Sequence, residues 1–134
     1  HATANWKGGG KDGKGHLTTQ SSTLDKTAYS FGKRFGDDKG TNPEELVAAA
    51  HAGCFAMQLS FNIVEAGYEA TELDAKCEVT FKDGEIVKSH IDLKAKVDDI
   101  SEDKFEEVVR DAEKNCPISK LLNTEIEVEY SLNA

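Results

Sequence analysis

The residues in this chain with the most reactive side chains are three cysteines, Cys54, Cys77 and Cys116. Their number is odd, they lie far apart, and no two of them form a C-x-x-C pair, so neither a disulfide framework nor a zinc-finger pattern is indicated. A cysteine reacts as its thiolate, and its surroundings decide how easily that thiolate forms. Each thiol is therefore considered separately, as a core residue or as a reactive group.

Cys54 lies in the apolar sequence HAGCF. An apolar environment raises the pKa of a thiol and makes it inert, so by itself this position favours a core residue. A reactive Cys54 needs a positive charge and a polar partner. The candidates are Arg34 in the loop GKRFGDD, Glu44 to orient that arginine, and His51, which lies three residues earlier on the same helix face.

Cys116 directly precedes Pro117 and the short helical sequence PISKLL. Unpaired backbone N–H groups and the helix dipole at such a position stabilise a thiolate, although a plain helix cap fits the pattern equally well. Cys77 alternates in phase with Ala75 and Val79. It is interpreted as core filler, because a free cysteine behaves as a small buried hydrophobe.

A long helix must position Cys54. Asn42 is a capping residue, Pro43 suits the first helical position and Glu45 completes a start of the capping-box kind. The helix is predicted to run to about Ala66, with Gly67 as the C-terminal cap, over roughly 36 Å. Its sequence is apolar almost all round, so we expect it to be buried with the help of a second subunit.

The remaining segments predict an α+β fold in a single domain, residues 1–134. The first forty residues indicate a meander of strands, and Asp83-Gly84 predicts the turn of a later hairpin. Ser101 is predicted to cap a second helix that runs to about Asn115. A short helical turn and the strand EIEVEYSL follow.

The segment GGGKDGKG, Gly8 to Gly15, nearly spells a phosphate-binding loop. Gly15 follows Lys14 where a Ser or Thr should hold magnesium, and the next residues look like a strand where a helix is required. We therefore interpret this segment as a hairpin loop.

The chain carries 25 acidic and 16 basic residues, for a net charge of −9. Such a charge is repelled by a phosphate backbone and by an anionic membrane surface, so nucleic acid and membranes are not expected partners. The longest apolar run is far below the ~20 residues that span a bilayer, and no signal segment opens the chain. A cytoplasmic location is expected.

The sequence RFGDDKGTNPEELVAAAHAGCF strongly resembles the signature of the OsmC/Ohr family, the osmotically inducible and organic hydroperoxide resistance proteins. It is more similar to the OsmC branch. The resemblance extends over nearly the whole chain, from ANWKG through AYSFGKRF to CPISKLL and the final IEVEYSL.

This resemblance implies a thiol-dependent peroxidase that reduces organic hydroperoxides to alcohols in oxidative or osmotic stress defence. The implied fold has antiparallel sheets packed around a long buried central helix, in an intertwined homodimer. No cofactor and no metal are implied. The implied partners are an organic or lipid hydroperoxide and a dithiol reductant such as a lipoyl-bearing protein.

The resemblance also implies a role for each matching residue. Cys54 corresponds to the peroxidatic cysteine and Cys116 to the resolving cysteine. Arg34 corresponds to the arginine that lowers the thiolate pKa and holds the peroxide, and Glu44 to the carboxylate that orients it. His51 stands where the Ohr branch has Tyr, and we expect it to make structural hydrogen bonds in the interior.

Helix geometry constrains this assignment, because Glu44 and Cys54 are ten residues apart. On one straight helix they are separated by roughly 15 Å and nearly a right angle. Two copies of the helix that cross antiparallel about Ala49, where the side chains are small, would bring Glu44 of one chain towards Cys54 of the other. The hypothesis is a site built from both subunits.

The expected substrate pocket is apolar, which favours alkyl or lipid hydroperoxides over hydrogen peroxide. Its expected lining is Phe55, Met57, Phe61, Ile118, Leu121 and Leu122. In the expected cycle a Cys54 sulfenic acid forms and condenses with Cys116 to a disulfide, which the dithiol reduces.

Three alternatives stay open. A hydrolase or acyltransferase would use Cys54 with His51 and would not need Cys116. A zinc protein would need convergent ligands, whereas the Cys and His residues here are scattered. A non-catalytic stress-response or ligand-binding dimer would use the long helix as plain core.

Overall fold

The computed structural model of the chain describes residues 1–31 and 40–134. The N-terminal unit, residues 1–46, contains three antiparallel strands in the order β1-β2-β3. Their bounds are β1 Ala2–Lys7, β2 Lys14–Thr19 and β3 Thr27–Tyr29. The predicted meander of strands is confirmed.

The glycine-rich segment between β1 and β2 is a hairpin loop, as predicted, with Lys7 paired to Lys14. Gly15 lies within β2 beneath the tilted rings of Trp6 and Tyr29, whose centroids are 5.3 Å apart. A Cβ at Gly15 would lie 2.6 Å from the Asn5 carbonyl oxygen and 2.7 Å from the Tyr29 ring. Packing therefore requires glycine at position 15, the same residue that argues against a phosphate-binding loop.

The long helix, α1, spans Pro43–Glu65. The Glu45 backbone N–H donates to Asn42 Oδ1 at 2.7 Å, and the Thr41 hydroxyl donates to Glu45 Oε2 at 2.8 Å. The predicted start, with Asn42 as cap and Pro43 as first helical residue, is confirmed.

The C-terminus of α1 is closed by Gly67, as predicted. Its φ of +94° lies in the left-handed region, where a residue without Cβ is favoured. Its N–H donates to the Val64 carbonyl and the Tyr68 N–H to that of Ile63, each at 3.0 Å. This pair of bonds is a Schellman motif, which satisfies carbonyls at the helix end.

Only one stripe of α1 is buried in the single chain: His51, Phe55, Leu59, Asn62 and Ile63. The other side exposes Met57 and Phe61 by 64% each and Val64 by 60%. The helix is long and apolar enough to cross a membrane by length and composition, a test that core helices also pass. Its expected complete burial is not achieved within one chain.

The C-terminal unit, residues 47–134, is built on a second sheet in the order β4-β5-β6. Its strands are β4 Ala70–Lys82, β5 Glu85–Val97 and β6 Glu125–Leu132. Asp83 and Gly84, with φ of 53° and 82°, form the predicted turn between β4 and β5.

The α+β class is confirmed, with one difference from the expected antiparallel sheets. β6 pairs parallel to β5, so this sheet is mixed. The chain leaves β5 and returns through two helices, α2 Glu102–Asn115 and α3 Pro117–Leu121. A helical crossover of this kind brings the next strand back in the same direction.

α2 begins where predicted, because Ser101 accepts the Lys104 backbone N–H at 3.2 Å. Its buried residues share one stripe: Phe105, Val108, Val109 and Ala112. They join one core cluster with residues of α1, β5, β6 and the segments on either side of α2: Phe55, Leu59, Ile63, Ile91, Leu93, Ala95, Val97, Ile100, Cys116 and Val128. Cys116 is thus both a predicted site residue and part of the core.

Candidate functional site

Cys116 occupies the junction of two helices, where it ends α2 and caps α3. Its backbone N–H donates to the Ala112 carbonyl at 3.1 Å, and its Sγ accepts the Ser119 backbone N–H at 3.3 Å. The side chain is fully buried. The helix-cap interpretation is confirmed, whereas the reactivity of this thiol, which lies near a second thiol, stays a prediction.

That second thiol is Cys54, in the middle of α1 and half-buried against the core. It interacts with the Cys116 thiol and with the backbone N–H of Ile118. Burial raises the pKa of Cys54, the Ile118 amide opposes that rise, and the adjacent Cys116 thiol adds to it. The geometry brings the two cysteines together, but these neighbours alone keep Cys54 protonated.

His51 lies one helical turn before Cys54 and is fully buried. Its Nδ1 is 2.6 Å from Ser89 Oγ on β5, and its Nε2 is 2.8 Å from Ser119 Oγ on α3. Burial lowers the pKa of His51, which favours the neutral ring. The expected structural hydrogen bonds are confirmed, and they join three elements.

Cys77 faces the core side of β4, as expected, and packs against the core cluster. Its Sγ also lies 3.2 Å from Ser89 Oγ. Burial raises the pKa of this thiol, and the hydrogen bond with Ser89 opposes that rise. Cys77 is therefore core filler with a polar contact, in an environment that keeps it as a thiol.

Ser89 and Ser119 are the site residues that sequence reasoning missed. Both are buried, and each hydroxyl contacts the His51 ring and one cysteine thiol. Ser89 stands in phase with the inward-facing Ile91 on β5. A polar residue at an apolar position of that alternation requires a partner, and this signal was available in the sequence.

Two predicted site residues, Arg34 and Glu44, have roles that the described residues do not test. Arg34 lies outside the described residues. Glu44 lies in the first turn of α1 and belongs to the N-terminal unit, whereas Cys54 belongs to the C-terminal unit. The roles of Arg34 and Glu44 stay predictions.

The predicted pocket residues have different environments in one chain. Phe55 is fully buried in the core, whereas Met57, Phe61 and Leu121 are exposed by 64%, 64% and 75%. The other two, Ile118 and Leu122, are half-buried. The pocket stays a prediction, and the exposed residues give α1 and α3 an apolar surface.

The hydrolase alternative needs a Cys54–His51 pair, but both ring nitrogens of His51 contact serine hydroxyls instead. The zinc alternative needs convergent ligands. Within residues 1–31 and 40–134, no group of three or more His, Cys, Asp or Glu side chains could hold a metal ion. Neither alternative gains support from the described residues.

Comparison with known proteins gives a consistent result. A model of the OsmC-like protein family matches residues 36–131. The chain is 39% identical over 135 residues to Peroxiredoxin OsmC of Escherichia coli (strain K12), covering 98% of this chain and 94% of that protein. It is 28% identical over 120 residues to organic hydroperoxide resistance protein OhrB of Bacillus subtilis (strain 168), covering 88% of each.

Comparison of structures finds a protein of the same family. The crystal structure of OhrB of Bacillus subtilis matches with a TM-score of 0.68 at 27% identity, covering 99% of this chain and 98% of that chain. The similarity therefore covers both units, including the elements that carry Cys54 and Cys116.

Proposed function

The chain belongs to the family of OsmC-like proteins, and on that premise we propose that it is a thiol-dependent peroxidase that reduces organic hydroperoxides to alcohols. It acts in defence against peroxide stress, as the names of its relatives indicate for them. The resemblance found in the sequence is confirmed by the family match and by the relatives.

The observation that carries this proposal is the proximity of Cys54 and Cys116, which lie near enough for the Cys116 thiol to raise the pKa of Cys54. The two residues lie on different elements, 62 positions apart by subtraction of their numbers. Two neighbouring thiols can form a disulfide once one of them is oxidised. A core that needed only small apolar filler would gain nothing from this pair.

In the proposed cycle, the Cys54 thiolate attacks the O–O bond of the hydroperoxide and becomes a sulfenic acid, and the alcohol leaves. Cys116 condenses with the sulfenic acid, so that a disulfide forms and water leaves. A dithiol reductant restores both thiols by exchange. A lipoyl-bearing protein is the reductant we propose.

Activation of Cys54 requires an additional positive charge, because the described neighbours raise its pKa. We assign that role to Arg34, oriented by Glu44. A guanidinium beside a thiol favours the thiolate and also attracts the peroxide oxygen. The raised pKa in the described surroundings supports the need for such a group.

The substrate is an alkyl or lipid hydroperoxide. The exposed apolar side chains Met57, Phe61 and Leu121 support this choice, since a substrate with a hydrocarbon body is retained by apolar contacts and hydrogen peroxide is not. The reaction itself is the same for both oxidants. The preference is therefore one of binding.

The active form is an intertwined homodimer in the cytoplasm. A single chain leaves one side of α1 exposed, and all six residues of β1 are exposed although β1 contains Trp6. Apolar surface of this kind is characteristic of a subunit interface. A dimer also offers a route by which Glu44 of one subunit reaches Cys54 of its partner.

The decisive experiment is intact-mass analysis of the reduced protein after one equivalent of cumene hydroperoxide. Wild type is expected to lose two hydrogens, which marks the disulfide. Cys116→Ser is expected to gain one oxygen on Cys54, because the sulfenic acid then has no partner. Cys54→Ser is the matched control and is expected to stay unchanged.

The same reaction with one equivalent of hydrogen peroxide in place of cumene hydroperoxide tests the substrate class, and slower oxidation is expected. No mass change in wild type, or oxidation scattered over Cys77 and Met57, would mean that Cys54 is not an activated thiol. The protein would then be a non-catalytic dimer.

A further inference from the structure

A continuous series of buried polar side chains connects His51 to the resolving cysteine. His51 Nε2 lies 2.8 Å from Ser119 Oγ, and Ser119 Oγ lies 3.0 Å from Cys116 Sγ. His51, Ser119 and Cys116 are all buried, at 0%, 6% and 0% exposure. The peroxidase chemistry described above leaves His51 and Ser119 without a role.

We propose that Ser119 and His51 form a proton relay for Cys116, which removes the thiol proton when the disulfide forms and delivers a proton from the dithiol when the disulfide is reduced. This inference rests on the proposed peroxidase function and adds two positioning residues to it. The relay acts on formation and reduction of the disulfide, the second and third steps of the cycle, and not on the attack of Cys54 on peroxide.

Ser89 sets the direction of the relay. In a neutral imidazole one ring nitrogen donates and the other accepts. When Nδ1–H donates to Ser89 Oγ, 2.6 Å away, Nε2 has a free lone pair for the Ser119 hydroxyl. Ser89 can then donate to Cys77 Sγ at 3.2 Å, so each group in the series has a partner.

The step balances without an external base. The Cys116 thiol gives its proton to Ser119 Oγ while the Ser119 hydroxyl gives its proton to His51 Nε2. The Cys116 thiolate attacks the sulfenic sulfur of Cys54, so an S–S bond forms and the S–O bond breaks. The departing hydroxide takes a proton from Ser119, which His51 replenishes, and water leaves.

The electrons also balance in this step. The Cys54 sulfur is reduced from the sulfenic to the disulfide state, and the Cys116 sulfur is oxidised to the same state. His51 begins and ends neutral. During later reduction the dithiol gives up a proton as it attacks the disulfide, the Cys116 thiolate leaves with the Ser119 backbone N–H donating to it, and the relay passes the dithiol's proton to Cys116.

The surroundings of the ring suit a neutral base. Burial lowers the pKa of His51, so the ring is free to accept a proton at neutral pH. Within residues 1–31 and 40–134, the titratable groups near the relay include Cys54 on α1, Cys77 on β4 with its neighbour Glu78, and Cys116 between α2 and α3. Among these, only Cys116 contacts Ser119.

The test is a single-turnover reaction with cumene hydroperoxide, in which the Cys54 sulfenic acid is trapped with dimedone and the disulfide is followed by intact mass. In Ser119→Ala, the disulfide step is expected to slow roughly a hundredfold, as for loss of general base catalysis. The sulfenic acid accumulates, while its rate of formation changes less than about twofold. Ser119→Thr retains a hydroxyl and is expected to recover most of the rate.

A pH series separates a relay from mere misplacement of Cys116. Without the relay, solvent hydroxide must remove the thiol proton, so the disulfide step of Ser119→Ala is expected to approach the wild-type rate as the pH rises. A slowing that is equal at every pH would overturn the proposal. Ser131→Ala, at an exposed serine on β6, is the matched control for the substitution itself.

The result also separates this proposal from the proposed function. If Cys54 gains oxygen and Ser119→Ala closes the disulfide at the wild-type rate, the relay is wrong and the peroxidase stands. If wild type forms neither the Cys54 sulfenic acid nor the disulfide, the peroxidase function and the relay both fall.

Discussion

The pKa of His51 differs between the folded and the unfolded chain, because the folded structure buries this residue of the site. It is fully buried among hydroxyl groups, and burial lowers its pKa. In the unfolded chain its pKa returns to the ordinary value of about 6.5. The two states therefore take up a proton at different pH values.

The pH dependence of stability follows from this difference. Because the folded pKa is the lower one, the unfolded chain binds the proton first as the pH falls, so stability is complete above about pH 6.5 and decreases below it. The expected loss is up to about 1.4 kcal/mol per pH unit until the folded pKa is reached.

His51→Gln isolates this contribution, because glutamine does not titrate. At pH 7.5 the variant is expected to be less stable by about 1–3 kcal/mol, through lost hydrogen bonds. By pH 5 that difference is expected to narrow. Urea denaturation of both proteins at the two pH values measures it, and a difference that stays constant would show that His51 titrates alike in both states.

At the scale of the element, α1 is limited by local signals at both ends. Asn42 satisfies the Glu45 N–H at the start, and Gly67 adopts a left-handed conformation at the end. Between these ends the helix carries His51 and Cys54 one turn apart, so its rotation about its own axis decides what both residues contact. A substitution at a capping residue that shifts or rotates α1 would therefore change the contacts of both His51 and Cys54.

Gly67→Ala tests the C-terminal cap. No neighbouring atom lies within 4 Å of a Cβ built at this position, so the cost is conformational and not steric. A residue with Cβ at φ +94° is expected to lower the free energy of unfolding by about 1–2 kcal/mol.

Gly9→Ala is the matched control, because its Cβ also meets nothing within 4 Å and no left-handed φ is required there. Its change is expected to stay within about 0.5 kcal/mol in the same urea titration. Equal stability of Gly67→Ala and Gly9→Ala would contradict the role of the cap.

At the scale of the whole molecule, one chain leaves apolar side chains exposed on its surface. α1 exposes Met57, Phe61 and Val64 on one side, and β1 is exposed throughout. Glu44 and Cys54 stand ten residues apart on the same helix. A two-fold related partner would cover the apolar surface and would also offer the missing carboxylate to each site.

A mixing experiment tests whether each site is built from both subunits. Glu44→Ala and Cys54→Ser are each expected to be nearly inactive alone. After unfolding, mixing and refolding, random pairing makes half of the dimers mixed, and each mixed dimer holds one complete site. Peroxidase activity of roughly a quarter of wild type is expected.

Sites within single chains would give no recovery in this experiment, since each chain would still carry its own defect. Val64→Glu supplies the control for the dimer itself, because a buried carboxylate opposes association. It is expected to shift the protein towards monomer in sedimentation and to lose the activity. A fully active monomer would overturn both the dimer and the shared site.

Much of the local structure could be predicted from the sequence. The capping residues Asn42, Ser101 and Gly67 and the turn at Asp83-Gly84 act through their own backbone conformation and nearest neighbours. Each of these signals depends only on a few residues that are adjacent in the sequence. The elements could therefore be predicted without knowing what they pack against.

The chemistry was determined by the sequence only in part. The roles of Cys54 and Cys116 follow from a resemblance, and the proximity of the two thiols was decided by the tertiary structure, because it brings α1 to the α2–α3 junction. The parallel pairing of β6 was missed for a similar reason. Strand direction depends on the path of the preceding helices, and alternation of apolar residues is the same in both directions.

Only the tertiary structure decided how His51 is used. The sequence by itself determined the family, the helix that carries Cys54 and the phase that puts His51 on the same face. The hydrogen-bonded series through Ser89 and Ser119 brings together residues 38 and 68 positions from His51. Hydrogen bonds are short and directional, so contacts across such separations depend on the packed positions of three elements.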